Sequence, residues 1–399
     1  VSRDGRRWGP LALLATLYLS QGLPFGFFTL AVPAVLREQG QSLEVVGLSS
    51  ALALPWALKF LWSPAVDRFG RRKDWIVPLQ LATVVVLVGL AWVDPPAGAA
   101  ARGAAVRGAA VPGAGWLAAG MVVASLLAAT QDIATDGLAV RILSPAERGL
   151  GNGVQVAGYR LGMILGGSAI LVLFARAGWP WAFLVMAGVL GVLTVPILAY
   201  GEAPADPVDA SPLDLLGGLR SLGLPWVAVL VSYKLGESAA GAMVRPLLVD
   251  RGWALDELGL LLGVGGSTAG LVGALIGGAL AGPHRRAALV GCALLQSVAV
   301  GGQAVATEVG GLVPALLAEH VASGMATASL FTAMMDRCRR RLEATDYTLQ
   351  ASLVVIASGV GASLSGVSAA SLGYTGHFAV AAVASTLAAG LAWWATRRI

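Results

Sequence analysis

The sequence predicts an all-α integral membrane protein of twelve transmembrane helices in two six-helix halves. Of its 399 residues, 57% are hydrophobic and 12% are charged, which is about half the charged fraction of a soluble globular protein. Apolar runs of about 20 residues or more, each long enough to cross a bilayer, follow one another along the chain. We therefore expect lipid to cover most of the surface.

A segment rich in proline and acidic residues, 201–222, separates an N-terminal bundle, 1–200, from a C-terminal bundle, 223–399. The first apolar run is too long for the apolar region of a signal peptide, so we expect it to be retained. The predicted helices 1 to 12 lie at 9–36, 43–64, 75–93, 115–143, 150–176, 179–200, 223–249, 256–281, 287–307, 311–337, 346–371 and 375–396.

Lysines and arginines in the loops predict the orientation, because cytoplasmic loops carry an excess of them. With both termini in the cytoplasm, Arg37, Arg102, Arg107, Arg176 and Arg251 face outward, and the other loop cations face inward. The inward group is Arg3, Arg6, Arg7, Arg68, Arg71, Arg72, Lys73, Arg141, Arg148, Arg220, Arg285, Arg286, Arg337, Arg339, Arg340, Arg341, Arg397 and Arg398.

Ionisable side chains are rare at membrane depth, and those that occur usually face a bundle interior or a hydrated path. The interiors of predicted helices 3, 6, 9 and 12 hold none. This distribution favours a hydrated passage lined by the other helices, and therefore a secondary transporter. The charged residues at membrane depth are Lys59, Asp132, Asp136, Arg160, Lys234, Glu237, Arg245 and Glu319.

Asp132 and Arg160 lie at similar distances from the turn between helices 4 and 5, so we expect them to be neighbours. They could form a static ion pair between two helices, or a pair that solute or proton binding breaks.

Lys234 and Glu237 are three residues apart on helix 7 and share a face, with Tyr233 beside them. A carboxyl group at this depth can exchange a proton, because burial and a neighbouring cation act on it in opposite directions. Glu237 or Glu319 is therefore a candidate for proton coupling. Solute contact or static pairing is the alternative for both residues.

The loop after helix 2 reads D-R-F-G-R-R-K at 67–73. It resembles the cytoplasmic signature of the major facilitator superfamily, and a plain basic loop would need neither its Asp nor its Gly. The resemblance implies the major facilitator fold and a charge latch on the cytoplasmic side. The residues assigned to this gate are Asp67, Arg68, Arg71 and Arg72, together with Lys59.

Further stretches resemble AmpG-type permeases, a branch that includes muropeptide permeases, siderophore permeases of the RhtX and FptX type, and acetyl-coenzyme A transporters. The resemblance implies import of a bulky polar solute through the cytoplasmic (inner) membrane, with the proton as coupling ion. The stretches are 21–26, 54–62, 130–136, 158–163 and 233–237, with Glu319 and 323–325 in helix 10.

Several functional classes lack support in the sequence. There is no phosphate-binding loop of an ATPase, no cysteine and histidine cluster with zinc spacing, and no basic face typical of nucleic-acid binding. We expect no enzyme, metal or cofactor. The expected partners are a small-molecule solute and the bilayer, and the expected state is a monomer.

Our hypothesis is a proton-coupled importer of a siderophore or muropeptide that works by alternating access. The alternatives are a proton-coupled efflux antiporter of the same fold and a membrane receptor or scaffold that does not transport. The predicted solute and proton pathway comprises Gln21, Gln131, Asp132, Asp136, Tyr159, Arg160, Tyr233, Lys234, Glu237, Arg245 and Glu319.

Overall fold

Helices make up all the regular structure within the residues that the computed structural model describes, which are 4–38, 49–93, 114–203, 208–309 and 311–397. The predicted beginning of helix 2 and the loop arginines Arg102 and Arg107 lie outside these ranges. An all-helical fold suits an apolar chain, because a helix satisfies its own backbone hydrogen bonds in lipid.

The helices of the first 200 residues begin and end close to the predicted positions. Helix α1 remains helical through Pro24 and passes into a π-helical segment at Phe27–Ala31, and α5 contains a second one at Leu165–Ala169. The elements are α1 (Asp4–Gly26, Phe27–Ala31 and Val32–Glu38), α2 (Ser49–Ala53, Leu54–Leu58, Lys59–Leu61 and Ser63–Arg68), α3 (Arg72–Ala91), α4 (Ala114–Ile142), α5 (Arg148–Ile164, Leu165–Ala169 and Ile170–Ala177) and α6 (Trp179–Ala199).

The later helices include two long ones that glycines interrupt. Gly223 and Gly373 have φ angles of 71° and 68° inside otherwise helical segments, a conformation that glycine adopts readily. The part of the predicted linker that follows Pro212 is helical. The elements are α7 (Leu213–Ser232 and Leu235–Asp250), α8 (Leu255–Leu258, Gly259–Gly266 and Ser267–Ala281), α9 (Arg285–Val309), α10 (Leu312–Met335) and α11 (Glu343–Ala395).

Nine helices of the described residues are long and apolar enough to cross a membrane. One of them, α11, has 53 residues, whereas about 20 residues suffice for one crossing. Gly373 divides it close to the predicted boundary between helices 11 and 12.

The described chain forms two compact units whose boundaries fall within helices except for the one between 208 and 209. In unit 1, Phe27, Trp179 and Phe183 are buried in one apolar core, and their rings pack edge-on or tilted against one another. In unit 2, α8 packs on α10, and α9 and the second part of α7 pack on α11. Unit 1 comprises 1–59, 68–136 and 158–208, and unit 2 comprises 60–67, 137–157 and 209–399. The predicted halves 1–200 and 223–399 stay a prediction.

Helices α1 and α5 approach each other backbone to backbone. A side chain added at Gly162 would collide with the Leu19 carbonyl and with Gly22, and one added at Gly166 would collide with the Leu23 carbonyl. Small residues allow such approach between membrane helices, where packing replaces the hydrophobic effect as the driving force. Gly162 and Gly166 therefore serve close packing of α5 on α1.

Hydrogen bonds fix the start of α3 and the end of α6. The Glu202 carboxylate accepts the backbone N–H groups of Arg72 and Lys73 at 3.2 and 2.8 Å. The Lys73 ammonium donates to the carbonyls of Leu198 and Tyr200 at 2.6 and 2.8 Å. Each helix end thereby receives the charge that complements its dipole.

Candidate functional site: two buried charge clusters

The first cluster lies in unit 1 and joins Lys59 of α2 to two carboxylates of α4. The Lys59 Nζ lies 2.5 Å from Asp132 Oδ2 and 3.3 Å from Asp136 Oδ2. The Tyr18 hydroxyl of α1 donates to Asp136 Oδ1 at 2.9 Å. Three helices therefore contribute to one charged site.

Local structure explains why these side chains converge. Asp132 and Asp136 are four residues apart and share one face of α4. Lys59 begins the short 3-10 turn Lys59–Leu61 within α2. The side chains of Lys59, Asp132 and Asp136 are 4%, 9% and 4% exposed. Buried charges persist only when they are paired and hydrogen-bonded, and the mutual contacts meet this condition.

Amides and hydroxyls continue the cluster along α1 and α4. The Gln21 side chain donates to the Thr135 hydroxyl at 3.3 Å, and the Gln131 side chain donates to the Gln80 oxygen of α3 at 3.1 Å. Gln21 and Gln131 are both buried. Two predicted pathway residues thus lie beside the charged groups, in a region with hydrogen-bonding capacity for a polar solute.

Tyr159 and Arg160 face this region from α5. Tyr159 interacts electrostatically with Asp132 and Asp136, and its ring lies 5.6 Å from the ring of Phe25. Arg160 is half-buried. Counting along the helix hairpin predicted Arg160 as a neighbour of Asp132, and this pairing stays a prediction; the structure additionally places Lys59 in contact with Asp132. Sequence counting estimates depth along a helix and not the direction in which a third helix approaches.

The second cluster lies in unit 2, where α7 faces α10. Lys234 and Glu237 form an ion pair, and the Ser323 hydroxyl donates to Glu237 Oε1 at 2.6 Å. Lys234 also donates to the Thr327 hydroxyl at 3.0 Å. The helical path of α7 is interrupted at Tyr233 and Lys234, so the ammonium lies at the start of a new helical segment.

The remaining predicted residues of unit 2 differ in their burial. Tyr233 is buried and donates to the Leu289 carbonyl at 2.7 Å. Glu319 is buried on the same face of α10 as Ser323, one turn away, and its Oε1 has no hydrogen-bond partner among the described residues. Arg245 is exposed on α7. Glu319 therefore belongs to the buried polar face, and Arg245 does not.

The predicted gate residues Asp67 and Arg71 each make polar contacts at the start of a helix. Asp67 is buried and accepts the backbone N–H groups of Ala344 and Thr345 at 3.2 and 2.7 Å, at the start of α11. A carboxylate at a helix N-terminus is stabilised by the free N–H groups and by the helix dipole. Arg71 pairs with Asp74 at 3.0 Å. Arg72 is buried, and Arg68 is exposed with its guanidinium 5.5 Å from the Phe69 ring.

The sequence did not single out a second charge network in unit 2. Asp336, at the end of α10, accepts from Arg148 of α5 and from Arg285 of α9, each at 2.8 Å. The backbones of α5 and α8 meet beside it, where Gly149 and Gly278 leave no room for a side chain. The sequence analysis used Arg148 and Arg285 as signals of membrane orientation, but it did not identify Asp336 as the carboxylate that both contact.

Two arginines between α10 and α11 add further contacts. The guanidinium of Arg337 lies 3.6 Å from the centre of the Trp226 ring, and burial lowers the pKa of Arg337 to about 10. Arg339 donates to the Asp346 carboxylate at 2.7 Å, and this hydrogen bond raises the pKa of Arg339. Both contacts hold the α10–α11 connection against neighbouring helices.

Comparison with known proteins identifies a matching family and several relatives of this chain. The family model described as "Acetyl-coenzyme A transporter 1" matches residues 10–177. The anhydromuropeptide permease of Escherichia coli K12 is 26% identical over 372 residues, covering 86% of this chain and 71% of the relative. AmpG 4 of Rickettsia felis is 21% identical, covering 84% of each chain.

Among solved structures, this chain is similar to FucP of E. coli, a fucose:proton symporter described as a major facilitator superfamily transporter. The TM-score is 0.73 with 14% identity, covering 97% of this chain and 98% of FucP. At this identity the likeness shows the fold alone.

Proposed function

We propose, from the premise that this chain is an AmpG-like permease of the major facilitator superfamily, that it imports a bulky polar solute together with protons. The observation that carries the proposal is the buried cluster of Lys59, Asp132 and Asp136, with side chains at most 9% exposed. A chain of lipid-covered helices keeps such charges chiefly where ions or polar solutes pass. The site works by alternating access, with solute and protons bound near the middle of the membrane.

The proposed topology has twelve spans in two halves, with both termini in the cytoplasm. The break of α11 at Gly373 supports two crossings within its 53 residues. The segment of α7 after Gly223 belongs to one of the nine candidate spans, and we propose α2 and α10, which carry Lys59 and Glu319, as the two remaining crossings. The excess of loop arginines on one side supports the orientation.

The relatives support the proposed solute class. One relative is an anhydromuropeptide permease by name, and the resemblance described above extends to siderophore permeases. A solute of either class carries many hydrogen-bonding groups. Gln21, Gln131 and Ser323 offer amide and hydroxyl groups close to the charged residues, which suits such a molecule.

Proton coupling is proposed at buried carboxyl groups, with Glu237 and Glu319 as candidates in unit 2. The fold relative FucP is a proton symporter by name. Glu237 contacts both Lys234 and Ser323, and Glu319 is buried with one oxygen that accepts no hydrogen bond from the described residues. Asp67, which lies at the end of α2 and accepts backbone N–H groups at the start of α11, is the proposed latch of the cytoplasmic gate.

Reconstituted transport tests this function. Proteoliposomes are supplied with labelled anhydromuropeptide or labelled ferri-siderophore, with and without an inwardly directed proton gradient. We expect one solute to accumulate only with the gradient, and we expect Glu237→Gln or Glu319→Gln to abolish this accumulation. Glu257→Gln, a change at an exposed carboxyl group outside the predicted pathway, is the control. Accumulation without any gradient would contradict proton coupling.

Other functions give different results in the same vesicles. An efflux antiporter would release preloaded solute when protons enter. A receptor or scaffold would bind solute to the purified protein and accumulate none. The import proposal fails if both solutes bind and neither accumulates under any gradient.

A further inference from the structure

Gln303 of α9 and Glu319 of α10 are buried in unit 2 with polar atoms that lack hydrogen-bond partners among the described residues. Gln303 is 1% exposed, and both its amide oxygen and its amide nitrogen belong to this group. Glu319 is 6% exposed, and its Oε1 belongs to the group as well. Nearly all buried polar groups in proteins are bonded, either to protein or to ordered water. These three atoms therefore call for a ligand.

The packing of α9 on α10 places the two side chains at the same depth. The Ser329 hydroxyl of α10 donates to the Cys292 sulfur of α9 at 3.4 Å, and the two consecutive helices run antiparallel. Gln303 lies eleven residues beyond Cys292, which is three helical turns, so both share the face of α9 directed at α10. Glu319 lies ten residues before Ser329. Both side chains are thus about 16 Å from this contact, toward the same helix ends.

Acidic and basic groups surround Glu319 on other sides. His320 Nδ1 lies 3.3 Å from Glu319 Oε2, the oxygen other than the unpartnered one. Helix α8 has no acidic or basic residue within 259–281, and α9 presents the neutral amide of Gln303. The acidic and basic groups in the buried polar region are His320 of α10, Lys234 and Glu237 of α7, and His377 of α11, which contacts the Ala239 carbonyl.

An open cavity of about 460 Å³ lies at the end of α9 beyond Gln303. Its lining includes Thr307, Asp250 and Tyr374, and the Tyr374 hydroxyl donates to Asp250 Oδ2 at 2.5 Å. Thr307 is one turn from Gln303 on the same face, and its hydroxyl donates to the Gln303 backbone carbonyl at 2.7 Å. Polar groups thus continue from the cavity to the buried amide. The predicted orientation places this cavity outside, so we call it the outer cavity.

Water suits the unpartnered atoms better than a metal cation does. Gln303 offers a donor and an acceptor, and Glu319 Oε1 offers a second acceptor. A metal cation would take the oxygens and leave the amide nitrogen of Gln303 unpaired. A water molecule both donates and accepts, and buried waters make about three hydrogen bonds to groups of this kind.

We propose that water from the outer cavity passes Thr307 and binds between Gln303 and Glu319, so that Glu319 exchanges protons with the outside along α9. The use of this path in coupling rests on the proposed function, whereas the binding of water does not. Gln303 holds the water and stays neutral. A proton arrives as hydronium, passes through the bound water to the Glu319 carboxylate, and leaves neutral water behind.

Infrared spectroscopy of the purified full-length protein in lipid nanodiscs tests the path without any solute. At low pH a protonated Glu319 gives a carbonyl stretch, which is identified by its loss in Glu319→Gln. After a switch to heavy water, the band shifts at a rate that reports how readily water reaches the carboxyl group. We expect this shift to be about tenfold slower in Gln303→Leu, because the site then loses the amide that holds the water.

Three further variants separate the path from general effects on packing. Val305→Leu is the matched control, because Val305 is 62% exposed on the same helix, and it should keep the native rate. Gln303→Asn retains an amide and should stay close to the native rate. Thr307→Val keeps Gln303 and removes the hydroxyl beside the outer cavity. It should slow the shift, and it tests the path if Gln303→Leu fails to fold.

Several results would overturn the proposal. They are a native rate in Gln303→Leu or Thr307→Val, an equal slowing in Val305→Leu, and the lack of any band that Glu319→Gln removes at every pH where the protein stays folded. Gradient-driven accumulation in the transport assay together with any of these results would leave the import function standing. The expected rates without accumulation would leave the water path standing and contradict the proposed function.

Discussion

The carboxylate of Asp67 accepts the backbone N–H of Thr345 at 2.7 Å, at the first turn of α11 and 278 residues further along the chain. Both residues are buried. This hydrogen bond links Asp67, the first residue of the signature 67–73, to the backbone at the start of α11. The hydrogen bond itself therefore does not depend on the side chains of residues 344 and 345, whereas it requires the carboxylate of Asp67.

Asp67→Ala should lower the free energy of unfolding by about 1–3 kcal/mol, because two buried N–H groups lose their acceptor. Thermal unfolding in detergent, followed by tryptophan fluorescence, measures the change. Glu257→Ala is the matched control: Glu257 accepts the Ala254 N–H at 2.8 Å at an exposed helix start, where water replaces it. Equal losses in both variants would show that burial of the Asp67 bond is unimportant.

Gly162→Ala should destabilise the protein, because the added methyl group collides with the Leu19 carbonyl and with Gly22. Gly191→Ala should instead stabilise it by about 0.5–1 kcal/mol, since nothing lies within 4 Å of the added atom and alanine favours the helix. Unfolding midpoints of the two variants should move in opposite directions. A shift of the same sign in both would be inconsistent with the tight α1–α5 contact.

Ser323→Ala should weaken the second cluster by about 1.5–3 kcal/mol, the range for a hydrogen bond to a charged group. It removes the donor that lies 2.6 Å from Glu237 Oε1. Ser363→Ala is the control, because the Ser363 hydroxyl is exposed and bonds to the Gly359 carbonyl of its own helix. Unfolding measured for both variants should show a loss for Ser323→Ala that Ser363→Ala lacks.

The network around Asp336 should contribute modestly and depend on salt. Its ion pair with Arg148 joins side chains that are 19% and 27% exposed, and such pairs are worth about 0.2–1 kcal/mol. A double-mutant cycle of Arg148→Gln and Asp336→Asn should give a coupling energy in this range. The coupling should shrink as sodium chloride is added, and a coupling independent of salt would refute the ion pair as its source.

The proposed orientation predicts opposite labelling of two loop positions. Ala146→Cys, in the turn between α4 and α5, should react with an impermeant maleimide only after cells are broken. Ala177→Cys, at the end of α5, should react in intact cells. Both changes are made in a protein with Cys292 and Cys338 replaced by alanine. Reaction of Ala146→Cys in intact cells would show that the orientation is the opposite of the one proposed.

Much of the helical architecture follows from the apolar runs. The predicted 179–200 and 256–281 correspond to helices Trp179–Ala199 and Leu255–Ala281 within one residue at each end. Apolar runs predict these helix bounds well because each run must span a similar thickness of lipid. The π-helical segments of α1, α5 and α8 have no equally clear signal, because they arise from packing between helices.

The candidate site was predictable in residue type and only partly in partnership. Burial of Lys59, Asp132, Asp136 and Glu319 could be inferred from their positions in apolar runs. The contact of Lys59 with α4 could not, since it depends on the angle at which α2 crosses. Tyr18 lay outside the resembling stretches. Ser323 lay within one of them but received no role, because a serine or threonine hydroxyl in a membrane helix is often bonded to its own backbone, as in Thr130.

The glycine-to-carbonyl contact between α1 and α5 has a mechanical consequence. Side chains between two helices can change rotamer and let the helices slide, but the stretches at Leu19–Leu23 and Gly162–Gly166 have no such layer between them. Because sliding of these two stretches past each other would force backbone atoms together, we expect them to move as one. Tyr18 and Tyr159, which adjoin them, should then keep their distance from each other.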